Sequence, residues 1–418
     1  MQKATLMVLL ALAAPPLAAD PDAAPSLQEA PAMPDPAATD PTESLARWIT
    51  DFRPRALAEG ISAATFDAAF AGVTLNETVL TRDRNQNEFT KTIWDYLATA
   101  VSDDRIASGR AALARHGQVL DAIEARYGVD KHVVVAIWGL ESAYGAVRGD
   151  TPIIEAMATL AHDGRRGAFY EAQLLAALRI LDSGVVTPDR MRGSWAGAMG
   201  HTQFMPTSYE ALAVDFTGDG RRDIWGDDPT DALASTAAYL AANGWVTGQP
   251  WGVEVRLPEG FDYLMADRAV TKSPALWAAL GVRDTAGRAV PLHGRASVLL
   301  PGGARGAAFM IFDNFRALES YNTADAYVIA VGHLADRLRG GGPIVGTWPY
   351  DDRALTFAER QEMQALLTRA GFDTRGVDGL VGPNTINAIR GFQQARGHVP
   401  DGYASLALLT LLQGDAAR

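Results

Sequence analysis

Val133-Val-Val-Ala-Ile-Trp-Gly-Leu-Glu141-Ser-Ala-Tyr-Gly145 sets a single carboxyl group in an otherwise apolar and aromatic run. The run reads as a buried helix entered after Asp130. Glu141 lies at i+4 from Ile137, i+3 from Trp138 and i−3 from Tyr144, so these side chains are expected to share its face. Apolar surroundings penalise the ionised carboxylate and raise its pKa. A carboxyl that stays protonated near neutral pH can protonate a leaving oxygen. The same residue has no such role if its side chain reaches solvent or caps a nearby backbone.

Working outward, Gly193-Ser-Trp-Ala-Gly-Ala-Met-Gly-His-Thr-Gln-Phe-Met-Pro206 combines glycines with aromatics and Gln203. Small residues let backbone approach a ligand closely. Trp and Phe offer flat apolar faces to a sugar ring, and an amide can donate and accept at once. A tight helix crossing would need the same glycines. Helical patterning runs with breaks from about Leu45 to Asn243, as in Leu113, Leu120, Ile123 and Tyr127. Between about residues 251 and 312, Gly and Pro punctuate short alternating runs such as Gly252-Val-Glu-Val-Arg-Leu257, which predicts a small β-containing insertion. Helix returns over Tyr321–Leu338. Gly340 to Gly342 and Pro343 open an expected linker, 340–354, before a compact helical module at 355–414.

The chain has 418 residues, so several units are expected, with a catalytic one over 43–339. Hydrophobic residues make up 48%, enough for a full core, and the net charge of −12 argues against non-specific nucleic-acid binding. The absence of cysteine excludes disulfides, thiolate metal sites and a Cys nucleophile. Lys3, the apolar run Thr5–Ala14 and the small residues Ala18 and Ala19 read as a cleaved signal peptide, 1–19. The Pro- and Ala-rich stretch 20–42 reads as a disordered spacer. A periplasmic, monomeric protein without a membrane span is expected.

Asp215-Phe-Thr-Gly-Asp-Gly-Arg-Arg-Asp223 resembles the first half of an EF-hand loop. Asp215, Thr217 and Asp219 fall at positions 1, 3 and 5, with Gly220 at the turn. Gly226 stands where the bidentate Glu belongs, so Asp227 or Asp231 must serve instead. A bare Asp/Gly turn would look similar. At the C-terminus, Val377-Asp-Gly-Leu-Val-Gly-Pro-Asn-Thr385, Ala388-Ile-Arg-Gly-Phe-Gln393 and Asp401-Gly402 are similar to the three-helix peptidoglycan-binding module of many wall enzymes.

Gly139-Leu-Glu-Ser-Ala-Tyr-Gly145, Ser194-Trp-Ala-Gly-Ala-Met-Gly200, Gln203-Phe-Met-Pro206 and Tyr321-Asn322 occur in that order. Together they resemble the lytic murein transglycosylase B family over roughly residues 45–338. The resemblance implies a mainly α, lysozyme-like catalytic domain. It also implies non-hydrolytic cleavage of the β-1,4 bond between N-acetylmuramic acid and N-acetylglucosamine, leaving a 1,6-anhydromuramic acid end. Glu141 matches the family's catalytic Glu. Ser142, Ser194, Gln203, Tyr239, Tyr321, Asn322 and Tyr327 match positions along its glycan groove. His201 departs from the pattern, since many members carry Gln or Tyr there. The resemblance further implies no cofactor for the chemistry and a structural Ca²⁺ on Asp215, Thr217, Asp219, the Arg221 backbone and Asp231.

Hydrolysing glycosidases usually need two carboxylates at a set separation, and no second one sits in these motifs. Asp163 and Asp182 are distant in sequence and read as solvated helix residues. A hydrolytic muramidase on the same fold and a non-catalytic wall-binding scaffold are the competing readings. The first would yield no anhydro ends, and the second has no use for a desolvated acid.

Overall fold

The computed structural model describes residues 41–84 and 91–416. The expected signal peptide, and all but the last two residues of the expected spacer, lie outside the described residues. The chain divides into two compact units, one of Arg148–Ala211 with the described residues up to Asp83, the other of Arg84–Val147 with Leu212–Arg418.

In the first unit, Pro41–Ala58 and Ala63–Ala69 bring Phe52, Phe66 and Phe70 together, the last two rings 4.3 Å apart. Helices Ile153–Asp163 and Gly167–Asp182 pack beside them. A short antiparallel pair, Thr151–Pro152 with Arg192–Gly193, starts the Gly-rich segment. Gly193 is needed there because a Cβ would lie 2.0 Å from the Ala198 carbonyl oxygen. Asp83, 2% exposed, is held by both Arg165 and Arg166.

The second unit is built on the helix Lys131–Ser142, entered at Asp130, whose carboxylate accepts the His132 amide as an N-cap. Val134 to Ile137 have no exposed surface, so the helix is apolar all round because it is buried all round. It packs against Asp325–Leu338, with Asp103–Arg115, Gly117–Tyr127 and Thr230–Ala242 alongside. Asp130 also pairs with Arg339, which bonds Asp336 in turn. One expectation fails at the other end. The helix stops at Ser142, and Ala143 and Tyr144 take φ of 49° and 60°. Tyr144 therefore does not share the Glu141 helix face. Its ring folds back over Gly139, where a Cβ would lie 2.6 Å from Cζ, and its hydroxyl donates to the Arg105 carbonyl at 2.7 Å.

The β-containing insertion is a four-stranded antiparallel sheet in the order Arg283–Asp284, Gly252–Arg256, Ala308–Ile311, Ser297–Leu299. Trp277 fills its separate core and donates its indole N–H to Ala296 at 2.9 Å. The C-terminal module is three helices, Phe357–Arg369, Pro383–Ala395 and Leu406–Ala416, around Met363, Leu367, Ile389 and Phe392. Its two Asp-Gly pairs are turns in which Asp378 accepts the Leu380 amide and Asp401 the Tyr403 amide.

The span 340–354 is not the unattached linker its glycines suggest. The amides of Val345 and Gly346 donate to the Glu254 carboxylate. Trp348, 9% exposed, belongs to the core of this unit and lies 6.2 Å from Trp94. The module itself is docked. Arg390 bonds Asp267 and the Ala266 carbonyl, and Asp401 accepts the Ala304 amide. Among the described residues no helix is long and apolar enough to cross a membrane.

Candidate active site

Glu141 is the second-to-last residue of its helix and 4% exposed. Tyr327, in the first turn of Asp325–Leu338, donates its hydroxyl to Glu141 Oε1 at 2.5 Å. Oε2 is buried with no hydrogen-bond partner. Burial pushes the carboxyl up from 4.5 to about 7, and the Tyr327 hydrogen bond pulls the other way. Among the described residues no second carboxylate contributes to that shift. The group is thus poised to be an acid and, once it has given up its proton, a base, near neutral pH.

Tyrosines surround it. Burial raises Tyr327 well above its ordinary value, and the negative charge of Glu141 adds to the effect, so its hydroxyl remains a donor. Tyr96, on Ile93–Ala100, is raised by burial and then by the same carboxylate. Tyr321 acts on Tyr327 electrostatically and meets Tyr239 edge-on at 5.0 Å. Tyr239 donates to the Ser320 carbonyl at 2.5 Å. Asn322 is 7% exposed and its Oδ1 accepts the Ala324 amide at 3.0 Å, which fixes the entry to the Tyr327 helix. The structure therefore brings Glu141, Tyr327, Tyr321 and Tyr239 together. Tyr96 was missed. Its segment, Ile93-Trp-Asp-Tyr96, carries no signal that separates it from any amphipathic helix.

Ser142 does not fit the groove role. It has no exposed surface, and its hydroxyl accepts the Gly145 amide at 3.0 Å while donating to the Trp138 carbonyl at 3.4 Å. The abrupt helix end takes up its polar groups, so it shapes the turn behind Glu141. In the other unit, the Ser194 hydroxyl accepts the Ala198 amide at 3.0 Å. Gln203 has φ of 56° and donates to the Gly200 and Arg148 carbonyls at 2.9 and 3.1 Å. His201, the departing position, is buried and bonds Arg148 at 3.2 Å. Asp182 accepts Ser62 and Thr65 hydroxyls at the surface.

Asp215, Asp219 and Asp231 each bring a carboxylate oxygen within 4.8 Å of the others. Asp215 accepts the Gly218 and Gly220 amides, and Asp219 accepts the Arg221 amide. Thr217 donates to Asp215 at 3.2 Å. Asp231, 2% exposed, accepts the amides of Phe216, Thr217 and Asp223, and its burial raises its pKa. Hard oxygen donors of this charge suit Ca²⁺.

The site is thus a buried acid beside a tyrosine donor on an α-helical scaffold, with a three-helix module appended. Residues 44–336 match the family described as Transglycosylase SLT domain, and the chain belongs to it. Residues 358–412 match a second family, a peptidoglycan binding domain. The chain is 34% identical over 247 residues to "Membrane-bound lytic murein transglycosylase B" of Escherichia coli, an alignment covering 57% of this chain and 65% of that protein. The chain thus spans just under two thirds of that relative. SltB3 from Pseudomonas aeruginosa, solved in complex with NAG-anhNAM-pentapeptide, is 51% identical, covers 89% of this chain and 100% of its own, and superposes with a TM-score of 0.87. The Escherichia coli transglycosylase Slt35 in complex with calcium is 29% identical over 71% of this chain and 93% of its own, with a TM-score of 0.59.

Proposed function

We propose that this protein is a lytic transglycosylase that cleaves the β-1,4 bond between N-acetylmuramic acid and N-acetylglucosamine in peptidoglycan. The observation that carries the reading is the buried Glu141 carboxyl, raised to about 7 with no second carboxylate among its influences. Protonated Glu141 gives its proton to the glycosidic oxygen, and the C1–O bond breaks toward the departing N-acetylglucosamine. Positive charge at C1 is met by the C6 hydroxyl of the same N-acetylmuramic acid, which forms the new C1–O bond. The Glu141 carboxylate takes the C6 hydroxyl proton and is restored. The nucleophile is already tethered, so its effective concentration is high and no second carboxylate is needed to activate water. Tyr327 holds Oε1 through both steps.

Tyr239, Tyr321, Asn322 and Tyr327 are proposed to contact the glycan in the unit that carries Glu141, and Ser194 and Gln203 are proposed as glycan contacts of the other unit. Asp215, Asp219 and Asp231, with Thr217 and the Arg221 backbone, would hold a structural Ca²⁺ that takes no part in the chemistry. The relatives' subjects, murein and its fragments, support a periplasmic site of action. Removal of residues 1–19 and a monomeric state are proposed with it, on the sequence alone. The C-terminal module is proposed to bind the wall polymer. Mass spectrometry of digested sacculi tests the reading. Products one water lighter than the hydrolytic ones support it, and reducing N-acetylmuramic acid ends would make the protein a muramidase instead.

A further inference from the structure

The docked C-terminal module closes a cavity of about 350 Å³ against the rest of its unit. Three pieces of chain supply the walls: the approach to the Ile93–Ala100 helix at Lys91, the end of strand Ser297–Leu299 with Leu300, and the module with Val381, Ile386 and Arg390. Asp325 and Ala326, the two residues before Tyr327, also line it.

The charges on these walls are unequal. Lys91, Arg360 and Arg390 are cations, while Asp325 and Asp401 are the acids. Both acids are already engaged. Asp325 pairs with Arg268, and Asp401 accepts the Ala304 and Tyr403 amides and the Gln393 side chain. Arg360, 8% exposed, donates to the Gly379 and Leu355 carbonyls. Lys91 is exposed at the rim and makes no ion pair among the described residues. Arg390, 9% exposed, carries one more signal. Its charge is paired with Asp267 and its other Nη donates to the Ala266 carbonyl, but its buried Nε–H has no acceptor. A buried donor of this kind costs stability unless something accepts from it. Between the cations the walls are aliphatic.

We propose that this junction cavity binds a short acidic peptide with small apolar side chains, the chemistry of the peptide branches of peptidoglycan. The proposal rests on the wall-cleaving function above. Carboxylates meet Lys91 and the arginine side of the cavity, and alanine-sized methyls meet Val381, Ile386 and Leu300. Because the walls come from separate pieces, a peptide bound there stabilises the docked module and presses on the turn that precedes Tyr327.

The test uses the full mature chain with Glu141→Gln, so that nothing is cleaved, and the synthetic tetrapeptide L-Ala-γ-D-Glu-meso-diaminopimelyl-D-Ala. Calorimetry is expected to show saturable binding in the submillimolar range. Lys91→Glu and Val381→Asp alter exposed positions and are checked for an unchanged melting temperature. Each is expected to weaken binding about ten-fold or more, as is amidation of the peptide carboxylates. No binding at millimolar peptide overturns the proposal, as does equal binding by both variants and the amidated peptide. Digestion of peptide-free glycan by the wild-type chain separates the two readings. Anhydro ends without peptide binding sink the cavity assignment alone. Peptide binding with no anhydro ends upholds the cavity assignment and sinks the proposed chemistry.

Discussion

Glu141→Gln changes stability as well as activity, and the sign of the change depends on pH. The carboxyl titrates near 4.5 in an unfolded chain and at about 7 in the folded one. Its folded value is raised, so the stability tied to its protonated form is fully present below 4.5 and is lost as pH rises through 7. At about pH 4 both states hold the proton and the group is nearly silent, whereas at about pH 8 the folded state carries a penalty of about 3 kcal/mol. Glutamine removes the titration while its Oε1 still accepts the Tyr327 hydroxyl, leaving one buried polar atom unpartnered as before. The variant should therefore match the wild type near pH 4 and exceed it by about 3 kcal/mol near pH 8, with most of the gain accruing up to about pH 7. Denaturant unfolding of both proteins across this range, followed by tryptophan fluorescence, measures the difference. A difference that stays flat with pH, or one that favours the wild type at high pH, refutes the account of a desolvated acid. The same variant should have no measurable cleavage of sacculi.

Activity of the wild type should fall above pH 7 with a single ionisation, and kcat/KM against pH on a soluble glycan reads this directly. Tyr327→Phe removes the bond that holds Glu141 down. The alkaline limb should then move to higher pH while kcat drops about ten-fold or more, seen in the same profile. Gly139→Ala drives a Cβ to 2.6 Å from the Tyr144 ring, and thermal unfolding should show a loss of about 1–3 kcal/mol. Millimolar Ca²⁺ should raise the melting temperature, and Asp215→Ala with Asp219→Ala should abolish the rise; no shift in the wild type leaves the loop a bare turn.

Much of the fold was legible because burial writes itself into composition. An unbroken apolar helix has to lie in a core, and Lys131–Ser142 does. The insertion was legible from its switch to two-residue alternation, which gives the four-stranded sheet. Tyr144 was misplaced because spacing rules assume that the helix continues, and nothing local announces two consecutive left-handed residues at Ala143 and Tyr144. Trp348 and Glu254 defeated the linker reading for another reason. The Glu254–Val345 contact joins positions 91 residues apart and the Trp94–Trp348 contact joins positions farther apart still, and glycine content reports only what a chain can do when nothing holds it. Within the site, Glu141 was conspicuous as a lone acid among apolar neighbours. Tyr96 was invisible, since its relevance comes from a fold-level meeting and from no pattern of its own.

Glu141 and Tyr327 are 186 positions apart in sequence, yet share one hydrogen bond. Nearly half the chain must be synthesised after the acid before its partner exists. A contact of such long range forms late, because closing the loop between its ends precedes any gain from the contact. Fragments that end before Tyr327, whether from stalled synthesis or from proteolysis in the insertion, therefore retain the acid without the hydroxyl that orients it. The acid and the group that orients it thus meet only after the 186 positions between them have been made and folded.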